Sequence, residues 1–381
     1  MGGIRVLMVM DSMDYGGTET HVLSIAGIMK EAGTHIVITG EGGPLTKQFE
    51  RQFVTKLTHR AFPGTEAYER SVTEMADLMV EENIQVVHLH QTPSGLIAAL
   101  AAERLGIPVV FTVHGMYYPR NELQDVLSRT TAIISVSKPV QSYLQRMDID
   151  SLLIPNGVDI NLFSPSDSAA RELRNKLGIS EDATVLLYAS RLAWGKASVC
   201  SNFLSASKHL RSSGFPSLEV VVVGGGLQYG ELERLKERIH LEAGNSFIHM
   251  VGNQDNMPDY YRMSDCVVGT GRVALEAMAC AKPVLAAGNA GYLGWVGPDC
   301  YDTAWNLYFG DHGSLRAANR LVLIEALRKG ISNKDSLMYL GGKGRDWVVK
   351  DFNAEKTALS TLQVYRQLLD EKSTRNRRGK E

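Results

Sequence analysis

Cysteine is scarce in this chain. Its 381 residues include only Cys200, Cys266, Cys280 and Cys300, with no Cys-x-x-Cys spacing and no histidine pairing that suits zinc. All but Cys300 sit in apolar or helical contexts and read as buried small hydrophobes, so nothing calls for an oxidising compartment. An excess of one charge is also missing. The formal net charge of -2 gives no electrostatic case for a nucleic-acid partner. No apolar run approaches the ~18 to 20 residues that would span a bilayer. The N-terminus passes directly into a strand pattern, so no secretory leader is expected, and Val6 stands where a myristoylation motif needs Ser or Thr. The expectation is a cytoplasmic protein, at most peripheral at the inner face of the membrane. Lys47, Arg51, Lys56 and Arg60 form either a weak contact for anionic lipid or an ordinary solvated face. The basic tail Arg375, Arg377, Arg378 and Lys380 reads as a solvated, disordered end over 373–381.

What is present is globular: 44% apolar and 22% charged residues, in a chain too long for one ordinary core and long enough for two domains. Short β-branched runs at 4–10, 35–39, 84–89, 109–113 and 132–136 alternate with helix-like stretches. The pattern restarts after Asn156-Gly157-Val158-Asp159, with runs at 185–189, 218–223, 247–251, 265–268 and 283–286. Near-continuous apolar strands separated by helices indicate parallel sheets covered on both faces, and right-handed crossovers make each half doubly wound. The Ser-, Pro- and Asp-bearing stretch Phe163 to Ala169 reads as the hinge. The expected division is 1–165, then 166–352, then a helix over 353–372 that crosses back to the first domain.

Ligands of such sheets bind just past strand ends. After the first strand come Gly16 and Gly17 and then a helix, a turn that either admits a phosphate closely or is a plain tight turn capped by Thr18 or Thr20. His88 and His90 flank Leu89 and are expected on opposite faces, with His90 as the acceptor-side candidate in the cleft. His114 follows the strand 109–113, where a neutral imidazole can hold a sugar hydroxyl. In the second half, Arg191 and Lys196 lie five residues apart across a turn after the strand 185–189. They either converge on a diphosphate or are solvated loop cations. Val220 to Val223 run into Gly224, Gly225 and Gly226 without the full dinucleotide fingerprint. The stretch Gly269-Thr270-Gly271-Arg272-Val273-Ala274-Leu275-Glu276-Ala277-Met278-Ala279-Cys280-Ala281-Lys282-Pro283 combines a glycine loop, a helix start with free N–H groups and one acid amid apolar neighbours. Glu276 would be costly to bury without a partner, and a ribose diol is the sort of partner that would satisfy it.

Taken in order, Gly-Gly-Thr-Glu, His-Gly after a strand, Asn-Gly-Val-Asp, Arg-x4-Lys, Val-Gly-Gly-Gly and Leu-Glu-Ala-Met-Ala-Cys-x-Lys-Pro-Val resemble the retaining GT-B glycosyltransferases of family four (glycosyl transferases group 1). The last of these motifs is the most specific. The resemblance implies an α/β fold of two Rossmann-like doubly wound domains facing a central cleft, a nucleotide-sugar donor with UDP as the carrier, no cofactor and no metal. It implies that Arg191 and Lys196 neutralise the donor diphosphate and that Glu276 holds the ribose. Gly16 and Gly17 close over the phosphates, His114 lies near the reacting bond, and Gly252 and Asn253 receive the base. Thr270, Gly271, Arg272 and Val273 complete the donor site. One departure stands out. The family usually carries Glu-x7-Glu with the first acid on the transferred sugar, and here that position is Val268, with Thr270 where a phenylalanine is usual.

The expected activity is retaining transfer of a sugar to a glycan, lipid-linked sugar or small molecule, in cell-surface glycan or secondary-metabolite glycosylation. Two alternatives stand beside it: a sugar-nucleotide epimerase or hydrolase, and a degenerate subunit that binds nucleotide without catalysis.

Overall fold

The computed structural model describes residues 3–378, with side chains up to Thr374. The described residues fold as two units, one of residues 3–157 with 354–378 and one of residues 158–353.

In the first unit the strands are β1 (Arg5–Ser12), β2 (His35–Glu41), β3 (Val54–Leu57), β4 (Val86–Leu89), β5 (Val109–Val113), β6 (Ala132–Ser135) and β7 (Leu152–Leu153), paired in the order β3-β2-β1-β4-β5-β6-β7. Every pairing is parallel. Because side chains alternate along a strand, β1 feeds two cores. Leu7 and Val9 pack on one face with Val72, Met75, Ala98 and Ala102. Val6, Met8 and Met10 pack on the other with Val22, Ile25, Met29, Ala358, Leu362 and Tyr365. The second face is thus closed jointly by the helix Gly17–Glu31 and the last helix, Ala354–Arg378.

The second unit contains β8 (Thr184–Ala189), β9 (Leu218–Val223), β10 (Ile248–Gly252), β11 (Cys266–Gly269), β12 (Val284–Gly288) and β13 (Gly291–Trp295), in the order β10-β9-β8-β11-β12-β13. Leu186 and Tyr188 pack here against Val199, Cys200, Phe203 and Leu204 of the helix Trp194–Ser212. Val268 is fully buried in the same core, between Tyr188 of β8 and Leu285 of β12.

Four features depart from the expectations. The segment 288–294 is a hairpin, with β13 antiparallel to β12; its three glycines hide the strand signal, since Gly lacks strand propensity. The short edge strands β3 and β7, β3 largely exposed, carry no buried run to betray them. The crossing between units falls at Gly157, ahead of Phe163 to Ala169. There Val158 bridges Asn353 and its N–H donates to the Phe352 carbonyl at 2.8 Å. The last helix continues to Arg378, through the stretch read as a disordered tail that takes in Arg375 and Arg377; Lys380 lies outside the described residues. No helix among the described residues is long and apolar enough to cross a membrane.

The Asn-Gly-Val-Asp motif owes its glycine to the return of the chain. A Cβ on Gly157 would lie 2.4 Å from the Ala354 Cα and 2.9 Å from its nitrogen, backbone that cannot step aside. Gly157→Ala is therefore expected to destabilise the first unit by ~1–3 kcal/mol. Faster amide exchange and proteolysis in the helix Ala354–Arg378 are the measurements that check it.

Candidate functional site

The order of a doubly wound sheet reverses at one place, where the loops on either side part and leave a crevice beyond the strand ends. In the first unit that place lies between β1 and β4, and in the second between β8 and β11.

At the first switch point Asp11, near the end of β1, accepts bonds from the Ser94 N–H and hydroxyl at 3.1 and 2.7 Å. Its own N–H donates to the Gln91 Oε1 at 2.6 Å. These bonds stitch β1 to the start of the helix Thr92–Leu105. Burial pushes the Asp11 carboxyl above its ordinary value, against the opposing Ser94 bonds. Gly16 is the extended N-cap of the next helix. A Cβ on Gly17 would meet nothing within 4 Å, so packing does not demand that glycine. One turn on, His21 is buried and joins His90 and His114. The His90 Nδ1 lies 3.1 Å from the His114 Nε2, and the three rings place ligand nitrogens within 4.8 Å of one another. Such a set can share a proton or hold a transition-metal ion. It escapes the sequence because its members come from three separate strand–helix junctions, so no spacing betrays them. The Tyr118 hydroxyl donates to the His90 carbonyl at 3.1 Å and accepts from the His114 N–H at 3.4 Å, which fixes two of the three.

Two expectations about these histidines are corrected. His88 and His90 are two residues apart, so they share a face of the strand; their rings lie 4.1 Å apart. His90 is fully buried, so any part it plays on the acceptor side passes through its partner His114. His88 is also fully buried, its Nδ1 2.5 Å from the Tyr365 hydroxyl and its Nε2 2.7 Å from the Thr112 hydroxyl. Burial, helped by His114, pushes His88 down to about 3. Burial and the neighbouring histidines hold His90 well below its ordinary value.

At the second switch point the loop 190–196 follows β8. Arg191 is exposed. Lys196 opens the helix Trp194–Ser212, and its carbonyl accepts from the Tyr188 hydroxyl at 2.7 Å. The glycines after β9 explain the loop's shape. Gly224 has φ +128, and a Cβ there would lie 1.9 Å from the Ser190 carbonyl oxygen. The Leu192 N–H donates to the Gly225 carbonyl at 2.8 Å. Gly252 ends β10 and Asn253 follows it beside the same run, the Gly252 carbonyl accepting from the Gly224 N–H at 2.8 Å. Past β11, Thr270 is the extended N-cap of the helix Gly271–Ala279. The Lys196 Nζ lies 3.0 Å from the Asp311 Oδ1, and the Thr270 hydroxyl donates to that oxygen at 3.1 Å. Asp311 was not singled out from sequence, because nothing in its spacing ties it to a helix start 41 residues earlier.

The partner that Glu276 needs is supplied within the chain. The Arg272 Nε donates to its Oε1 at 2.7 Å and the Tyr261 hydroxyl to its Oε2 at 2.9 Å. The Glu276–Arg272 side chains are 8% and 10% exposed, so the acid is satisfied before any ligand arrives. Each carboxylate oxygen still has a lone pair to offer. Val273 packs toward Gly269, where a Cβ would meet its Cγ1 at 2.5 Å.

Two doubly wound sheets, each with polar groups gathered at its switch point, are the architecture of the GT-B fold. The profile described as Glycosyltransferase Family 4 matches residues 15–162, and that described as Glycosyl transferases group 1 matches residues 169–329. Together they span most of the chain, which belongs to the glycosyl transferases group 1 family. Among curated relatives, a D-inositol 3-phosphate glycosyltransferase of Xylanimonas cellulosilytica is 29% identical over 54% of this chain, a match that spans only 56% of the relative's length. One of the same name from a Nocardioides strain is 27% identical over 93% of this chain and 85% of its own. Among solved structures, a glycosyltransferase from Rickettsia africae superposes with a TM-score of 0.76 at 20% identity, covering 97% of this chain and 99% of its own. HepE of Anabaena in complex with UDP gives 0.75 at 19% identity, over 96% and 100%.

The buried neutral histidines make stability depend on pH. Between the ordinary value of 6.5 and about 3 the unfolded chain binds a proton at His88 that the folded chain does not, so stability rises with pH through that window. It should be complete above pH 6.5 and decline below it, by up to ~1.4 kcal/mol per pH unit for each such group. Thermal unfolding of the wild type and of His88→Gln between pH 7 and 5 checks this. The variant should show the flatter dependence, and superimposable profiles would contradict the assignment.

Proposed function

We propose that this protein transfers a sugar from a nucleoside-diphosphate donor, with UDP as the carrier, to an acceptor hydroxyl with retention at the anomeric carbon. The observation that carries the proposal is the second switch point. The loop of Arg191 and Lys196 leaves β8, and the start of the helix Gly271–Ala279 leaves β11, its neighbour in the sheet. Cations and a helix N-terminus that follow adjacent strands suit a diphosphate. The fold neighbours support UDP as the carrier, since HepE structures contain UDP and UDP-glucose. The name of the curated relatives points to a polyol phosphate as an acceptor to try first.

In this reading the bond from the anomeric carbon to the diphosphate breaks and the acceptor oxygen bonds to the same face. The acceptor proton passes to the leaving phosphate oxygen. No protein nucleophile takes part. Arg191, Lys196 and the N–H groups of Gly271, Arg272 and Val273 stabilise the charge that grows on the leaving group. Gly16 and Gly17 admit the phosphates closely, Glu276 accepts from the ribose, Gly252 and Asn253 meet the base, and His114 sits by the sugar. No resident metal or cofactor is part of the proposal.

Calorimetry with UDP, GDP, ADP and CDP tests the donor site. The wild type should bind UDP selectively, and Lys196→Ala and Glu276→Ala should each lose that binding. Failure of the well-folded wild type to bind any of the four would favour the non-catalytic reading. In turnover, Arg191→Ala and Lys196→Ala should each cost roughly a hundred- to thousand-fold, whereas unchanged rates in both would remove the assignment. Saturating EDTA should leave the rate unaltered; a loss restored by added metal would show that a metal takes part.

A further inference from the structure

The polar cluster at the second switch point holds one acid that the roles above do not use. Asp311 follows an unusual piece of backbone: Tyr308 (φ +47), Phe309 (φ +56) and Gly310 (φ +85) are all left-handed. Left-handed non-glycine residues each cost on the order of 1–3 kcal/mol and persist only where their surroundings hold them. Here Phe309 is fully buried against Trp347 and Phe352, and Tyr308 stacks on His312 with centroids 5.5 Å apart. The strained turn therefore sets Asp311 firmly in place. Gly271, itself at φ +55, gives way to the same turn, since a Cβ there would meet the Tyr308 ring at 3.1 Å and the Asp311 Oδ2 at 3.5 Å.

Both contacts of the carboxylate, from Lys196 and Thr270, go to Oδ1. The Oδ2 accepts no hydrogen bond among the described residues and faces the start of the helix Gly271–Ala279. The acid is charged. Burial opposes ionisation, but Lys196, His312 and the Thr270 bond outweigh it and hold the carboxyl below its ordinary value. A carboxylate 3.0 Å from the lysine opposes a diphosphate at that lysine, because the two anions compete for one cation. The group that can stand between them must donate hydrogen bonds to the acid and be joined covalently to the diphosphate. The hydroxyls of a sugar esterified to a nucleoside diphosphate meet both conditions; the ribose hydroxyls also would, but they are assigned above to Glu276.

We propose that Asp311 is the specificity-determining acid of the donor site, its Oδ2 accepting hydroxyls of the transferred sugar while its Oδ1 holds Lys196 and Thr270. This inference rests on the donor site proposed above. The experiment is calorimetry of wild type and Asp311→Asn with UDP and with UDP-glucose, on protein whose melting temperature matches. Asp311→Asn should bind UDP as tightly as the wild type or more tightly, because an anion beside Lys196 is gone. Its affinity for UDP-glucose relative to UDP should fall by about tenfold or more, the loss of hydrogen bonds to a charged group. A parallel loss of both ligands would reduce Asp311 to a support for Lys196 and overturn the proposal, as would no change in either. Asp311→Glu, which keeps the charge, provides a second arm if the amide does not fold. It should retain UDP binding and alter the preference between UDP-glucose and UDP-galactose, and an unaltered preference overturns the proposal. A wild type that binds no UDP ends both this inference and the donor-site reading, a result distinct from every pattern above.

Discussion

The central parallel strands in this protein are buried on both faces, and that constraint settles where chemistry can take place. Faces sealed by helices leave polar groups only at the strand ends, and within a sheet the loops part only where the winding changes direction. Each unit has one such place, between β1 and β4 and between β8 and β11. In the first unit Gly16 and Gly17 follow β1, His90 follows β4 and His114 follows β5, all beyond the carboxyl ends of neighbouring strands. In the second unit Arg191, Lys196, Thr270 and Asp311 gather in the same way. The apolar strands thus position the polar site without touching a ligand.

The two switch points use charge in opposite ways. The first is rich in titratable rings that burial keeps uncharged, with His88 driven to about 3 and His90 held low beside it. With His88 and His90 uncharged, their rings can lie 4.1 Å apart without mutual repulsion. The second keeps its charges and pairs them, Lys196 with Asp311 and Arg272 with Glu276. Pairing lowers the cost of holding ions in a half-buried place, and it arms the site with groups that can change partners.

Much of this was legible in the sequence, and the reasons are specific. Runs such as Val220 to Val223 could only be buried strands, and the alternation of strands with helices implied two doubly wound halves. Gly16, His114, Arg191, Lys196 and Thr270 stand out as candidates in the sequence because the loop or helix start after a strand is a local signal. What stayed hidden was non-local or lacked a signal. His21 lies within a helix, and Asp311 follows a left-handed turn, a conformation that Tyr308 and Phe309 do not advertise. The hairpin of β12 and β13 was masked by glycine. The relation of His88 to His90 was legible, since strand period alone puts residues two apart on one face, and the expectation of opposite faces ran against that rule.

The return of the last helix to the first unit has a consequence for the order in which the protein is made. Residues 158–353 are inserted between the two segments of that unit, so a ribosome adding ~5–20 residues per second needs roughly ten to forty seconds to traverse them. Throughout that interval the apolar surface of Val6, Met8, Ile36 and Ile38 lacks the cover that Ala358, Leu362, Tyr365 and Leu368 later provide. The domain begun first is completed last, and the nascent chain must carry an unfinished core while the inserted domain folds.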